Sequence, residues 1–111
     1  MACEEEKRRV ADEVETMGWT IEALEEAKGE LGFAHGEMKR AIDEGAECIK
    51  KTSTSEKVGC LARKIEEFQK AEDDWNKASE KVLGLINGIG SLRKSISHLH
   101  DQYLHCLKKA R

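Results

Sequence analysis

The stretch ECIKKTSTSEKVGC, residues 47–60, sets Cys48 and Cys60 on either side of a polar run, in a chain of 111 residues that contains no proline. Thr52 to Ser55 offer only short hydroxyl side chains and interrupt long amphipathic sequence on both sides. Ser53 followed by Glu56 has the spacing of a capping box, in which the hydroxyl accepts from the Glu56 N–H and the carboxylate reaches back to the Ser53 N–H. The stretch therefore reads as a turn that ends in a helix start. A turn this short sends the flanking helices antiparallel.

Outward from that turn, the apolar residues fall into heptads. Before it, Val10, Val14, Met17, Ile21, Leu24, Leu31, Met38, Ile42 and Ile49 advance in steps of three and four, with Lys28, His35 and Gly45 in the remaining places of the stripe. After it, the stripe returns as Leu61, Ile65, Phe68, Ala71, Trp75, Ala78, Val82, Leu85, Ile89, Leu92, Ile96, Leu99 and Tyr103. That period keeps one face of each helix toward a partner helix. The extra three-residue step from Phe68 to Ala71 reads as a stammer that overwinds the pair locally. The expectation is an all-α chain, one domain over 1–111. It is a long antiparallel helical hairpin of coiled-coil type, with helices over about 4–51 and 56–109 and a turn over about 52–55. Glu4–Glu6 at the first helix start, Lys50–Lys51 at its end and Lys108, Lys109 and Arg111 at the end of the second all complement the helix dipole. The nine glycines work against continuity, because each costs a helix interior roughly 1 kcal/mol relative to alanine. The run GLINGIGS, residues 84–91, leaves open a second turn and a bundle of three or four shorter helices, although the heptad keeps its phase through it.

The cysteines fit the hairpin. Residues at one height of an antiparallel pair have numbers with a constant sum, and Cys48 with Cys60 gives 108 where Cys3 with Cys106 gives 109. Of the three connectivities open to four cysteines, only this nested one matches the geometry. A disulfide needs Cα atoms within about 7 Å, closer than the 8–10 Å between ordinary helix axes, so each staple marks a close approach. The other state of these residues is four reduced thiols acting as small hydrophobes. Paired, they place the chain in a secreted or otherwise oxidising setting; reduced, in the cytoplasm. The height rule also sets Trp19 level with Gly90 and Trp75 level with Ala34, beside Gly32 and Gly36, so that each indole is expected to rest where the other helix lacks bulk. It pairs His35 with Asp74 and Lys28 with Glu80.

Composition excludes several functions. At 37% charged, 39% hydrophobic and only five aromatic residues, the chain has the profile of a long-helix protein. Its net charge is −3 and its basic runs are short and dispersed, which argues against nucleic acid. No segment approaches the ~20 apolar residues of a membrane span, and MACEEEKRR lacks the apolar core of a signal peptide. Neither a phosphate loop nor a nucleophile–base pair is visible, and Cys106 and His105 are adjacent residues that do not face one another on a helix. The expectation is no enzyme and no cofactor. His98, Asp101 and His105 share a helix face and are the one conceivable metal set; solvated histidines near a helix end are the alternative reading.

Two helices bury one stripe each, and so small a core is marginal. Ile86 and Leu107 lie beside the second stripe, and with Trp19, Phe68 and Trp75 they are the candidate partner interface. A helical protein partner, or a homo-oligomer such as a dimer forming a four-helix bundle, is expected to cover them.

In length and hairpin pattern, and in Phe68-x-x-x-Glu72, the chain resembles the small helical proteins of type VII secretion. These include the WXG-type proteins and the partners of LXG toxins, which pair with other helices for export. The resemblance implies a secretion-associated partner or export adaptor. Thr52–Ser55 stand where the WXG-type turn has Trp-x-Gly, and Tyr103-x-x-x-Leu107 lacks the acidic residue of the usual C-terminal export signal. Cysteines are unexpected in that family as well. A structural coiled-coil subunit, or a disulfide-stapled surface or secreted protein of unrelated role, is the competing expectation.

Overall fold

In a computed structural model, residues 3–110 are described and form two α-helices, α1 (Glu4–Cys48) and α2 (Thr54–Lys109), with no strand among them. The all-α helical hairpin expected from the heptads is what the chain adopts. Gly84, Gly88 and Gly90 lie inside α2, which runs on through GLINGIGS without a second turn. Arg111, expected to help close α2, lies outside the described residues.

Local chemistry sets the helix ends. At the start of α2 the Glu56 N–H donates to Ser53 Oγ at 3.1 Å, the first half of the expected capping box, and the Lys57 N–H donates to the Ser53 carbonyl. At the end of α1 the chain stops earlier than expected, at Cys48. The Lys50 and Lys51 N–H groups donate to the Glu47 and Cys48 carbonyls in tightened i→i−3 bonds. These lysines therefore follow the helix, and the last turn of α1 holds no basic residue.

The helices make two compact units. One is Glu26–Lys81; the other joins the chain up to Glu25 with the chain from Val82 onward. In Glu26–Lys81 the buried residues are Ala27, Ala34, Ala41 and Cys48 on α1 and Cys60, Ala71 and Ala78 on α2. Those on α1 are seven apart, one heptad position repeated. Leu31 and Met38 alternate with them and are half-buried, as are Leu61, Phe68 and Trp75 on α2. Alanine is what lets two helices approach to the short end of the usual axis spacing. The Cys48–Cys60 bridge, with Cα atoms 5.5 Å apart, requires that approach. Among the described residues of the other unit only Cys3 is buried. There Val10, Met17 and Leu24 on α1 and Leu85, Ile89, Leu92, Ile96 and Leu99 on α2 are half-buried, and Glu6, Glu13 and Thr20 take the places that alanines hold in the first unit. The Cys3–Cys106 bridge closes this unit with Cα atoms 5.9 Å apart.

This arrangement corrects half of the expected α1 stripe. Val10, Met17, Leu24, Leu31 and Met38 do face α2, but Val14, Ile21, Ile42 and Ile49 stay exposed, and Glu13, Thr20, Ala41 and Cys48, each one residue earlier, take their places. The physical reason is steric and electrostatic. The β-branched set would hold the helices apart and would bury Lys28 and His35, which share its heptad position; the alanine set does neither. On α2 the stammer disappears. Ile65 is exposed and Lys64 takes the seam place, so that Leu61, Lys64, Phe68, Ala71, Trp75 and Ala78 alternate in steps of three and four without interruption.

The expected packing of indoles over glycines is also corrected. A Cβ added at Gly32, Gly36 or Gly90 would meet nothing within 4 Å, and Trp19 is 65% exposed. His35 and Lys28 are exposed rather than seam residues. Ion pairs that cross from α1 to α2 include Glu44 with Lys64 and, at 3.4 Å, Glu30 with Lys81.

Candidate functional site

The seam of Glu26–Lys81 divides that unit into two unlike faces. One face carries charge. Arg40 pairs with Glu37 and reaches Glu44 at 3.6 Å, Lys64 bridges Glu44 and Glu67, and Glu30 meets Lys81. Hydrogen bonding to Lys64 and its charge hold the Glu44 carboxyl below its ordinary range, while hydrogen bonds to Glu44 and then Glu67 raise Lys64. Lys64 can occupy a seam position because its stem packs there, 3.8 Å from where a Gly45 Cβ would sit, while its ammonium reaches the charged face. Phe33 is the apolar exception on this side; it is exposed next to Gly29, Asp74 and Lys77.

The other face is apolar. Ile42, Gly45, Ala46 and Ile49 on α1 and Leu61, Ile65 and Phe68 on α2 line an open groove of about 470 Å³. Ile42 is 59% exposed, Ile49 65% and Ile65 55%, and Val58 beyond them is exposed too. These are the residues that the heptad needs and the alanine seam does not use, so the same geometry that closes the seam creates the groove. β-branched residues standing in water along one face are the kind of surface that marks a docking site. The expected interface residue Phe68 belongs to this groove. Trp75 is half-buried in the seam, while Trp19, Ile86 and Leu107 are exposed on the other unit. Sequence reasoning missed Ile42, Ile49 and Ile65 as interface residues because it placed them inside the seam.

The four cysteines form the nested pair of disulfides, and none is free. His98, Asp101 and His105 are all exposed, and His98 Nε2 lies 3.2 Å from the Gln102 amide. The structure does not gather those three into a ligand set. Among the described residues the group whose ligand atoms converge is Cys3, Glu6 and Cys106, and its two sulfurs are bonded to each other. Cys3 has φ 71°, a left-handed backbone that a side chain with a Cβ adopts at a cost. It is buried there at the start of α1, held by its bond to Cys106.

No helix among the described residues is long and apolar enough to cross a membrane. Comparison of the chain with protein-family models, with curated proteins and with solved structures finds no match.

Proposed function

We propose that this chain is a non-enzymatic protein–protein interaction module that docks α-helices on the apolar face of its hairpin. The observation that carries this reading is the groove of Ile42, Ile49, Leu61, Ile65 and Phe68, which stays open beside a seam already closed by alanines and a disulfide. Hydrophobic burial is worth about 25 cal/mol per Å² of apolar surface, so the three exposed isoleucines of the groove are a standing drive toward a partner with its own apolar stripe. A helix in a groove, read by residues at i, i+3, i+4 and i+7, is the form of recognition such a surface supports.

The two disulfides favour a setting outside a reducing cytosol, since such bonds form and persist in oxidising compartments. The secretion-associated partner that the type VII resemblance implies is one form of this reading, and it rests on that resemblance. A stapled structural or surface subunit is the other form, and the disulfides favour it.

The docking face is tested by the uptake of an apolar fluorescent dye by the oxidised protein, at a concentration below any self-association. Ile42→Ser with Ile65→Ser is expected to abolish most of the uptake while leaving helicity unchanged, because both side chains are exposed. Uptake that survives the double substitution would contradict the reading.

A further inference from the structure

Resting on that reading, we propose that the occupant of the groove is a second copy of this chain. It docks about a twofold axis parallel to the helices, so that α1 of one copy lies on α2 of the other and both turns point the same way.

A twofold interface uses one patch twice and must therefore be self-complementary. An axis along the groove brings each α1 residue over the α2 residue at its own height. The Cys48–Cys60 bridge fixes those heights within Glu26–Lys81. Ile42 is level with Ile65, Ile49 with Val58, and His35 with Glu72, each to within one residue of the bridge's own level. All six are exposed on the hairpin. Across the axis, apolar side chains meet apolar ones twice on each side, and where a polar group occurs an imidazole meets a carboxylate. Nothing in the patch sets two like charges face to face, which a symmetric contact has to avoid. A twofold axis across the helices would instead set α1 on α1. It brings Ile42 over Ile49 only over a short overlap near the turn and leaves His35 and Glu72 outside the contact.

A second copy also turns two helices with one layer of seam into four helices around a shared core, the arrangement in which half-buried Leu61, Phe68 and Met38 become interior.

The experiment uses the oxidised full chain, from about 1 to 100 µM. Light scattering is expected to give twice the 12.5 kDa of one chain. Ile65→Glu, at an exposed position, is expected to raise the dimer dissociation constant about thirtyfold or more, the loss typical of a central interface residue, with helicity and both disulfides retained. His35→Glu is expected to weaken the dimer and Glu72→Lys to restore it in that background. A photo-crosslinking residue at Ile42, in a mixture of isotopically light and heavy chains, is expected to link to residues 58–68 of the other copy. Links from Ile42 to the Ile49 region of the other copy, or a monomer at 100 µM, would overturn the proposal. In the monomeric case the dye assay separates the two readings. Uptake that Ile42→Ser with Ile65→Ser abolishes would leave the docking face standing for another helical partner, and no uptake would remove both.

Discussion

Glu26–Lys81 and the unit that holds both chain ends are made from the same two helices and the same heptad, yet they close their seams differently. In the first, alanines repeat at one heptad position and seven residues are buried. In the second, Leu85, Leu92 and Leu99 hold that position on α2 while Glu6, Glu13 and Thr20 hold it on α1, and among the described residues only Cys3 is buried. The larger side chains thus bury less completely. A pair of helices has a single layer of contact, and leucine needs neighbours on more than one side to leave water, whereas alanine needs only the opposing backbone. The disulfides follow the same division. Cys48–Cys60 clamps 12 residues of sequence beside an alanine seam, and Cys3–Cys106 closes a separation of 103 at the end where packing is weakest.

The largest expected effects come from removing those staples. Chain entropy assigns about 3 kcal/mol to a bridge that closes a short loop and about 4–5 kcal/mol to one that closes a loop near 100 residues. Urea unfolding of Cys3→Ser with Cys106→Ser should therefore show the greater loss, and Cys48→Ser with Cys60→Ser the smaller. Equal losses, or the reverse order, would break the contrast between the two units.

Substitutions in the seam should act with opposite sign in the two units. Ala34→Leu forces a large side chain into a closed contact and is expected to cost about 1–3 kcal/mol. Thr20→Leu at the matching heptad position is expected to be neutral or stabilising by under about 1 kcal/mol. Thr20 is half-buried, and a Cβ added at Gly88, at its level on α2, would meet nothing. Melting temperatures of the two variants decide this, and a loss at both sites would mean that the second seam is as closed as the first.

Much of this was legible before any coordinates. The turn, its Ser53 cap, the antiparallel pairing and the nested cysteines follow from residues 47–60 and the constant sum. Between Ala41–Cys48 and Ile42–Ile49, hydrophobicity alone favours the isoleucines, while the hairpin selects for size. The correcting signal was present. Cys48 must face α2 to bond Cys60, so Ala41, Ala34 and Ala27, at multiples of seven before it, must face α2 as well. Following that phase releases Ile42 and Ile49 to the surface, and the same step on α2 puts Lys64 rather than Ile65 in the seam. What no heptad count shows is that Lys64 can be there because Glu44 and Glu67 reach its ammonium.

That pair gives the smallest effect. Glu44 is depressed below its ordinary value of 4.5, so its contribution is present above that pH and is lost as pH falls through the lower folded value. Lys64 is raised above 10.5, so its contribution is complete below that pH and fades as pH rises through the higher folded value. Glu44→Gln is therefore expected to flatten both limbs of the stability–pH curve slightly. An acid limb unchanged by Glu44→Gln would remove Glu44 from the account.

The contrast between the two units is tested most directly by hydrogen exchange of the oxidised protein, read by mass spectrometry at a concentration below association. Slower exchange is expected over residues 26–48 and 54–81 than over residues 4–25 and 82–109, despite the covalent link at the chain ends. Uniform protection along both helices, or faster exchange in Glu26–Lys81, would contradict it.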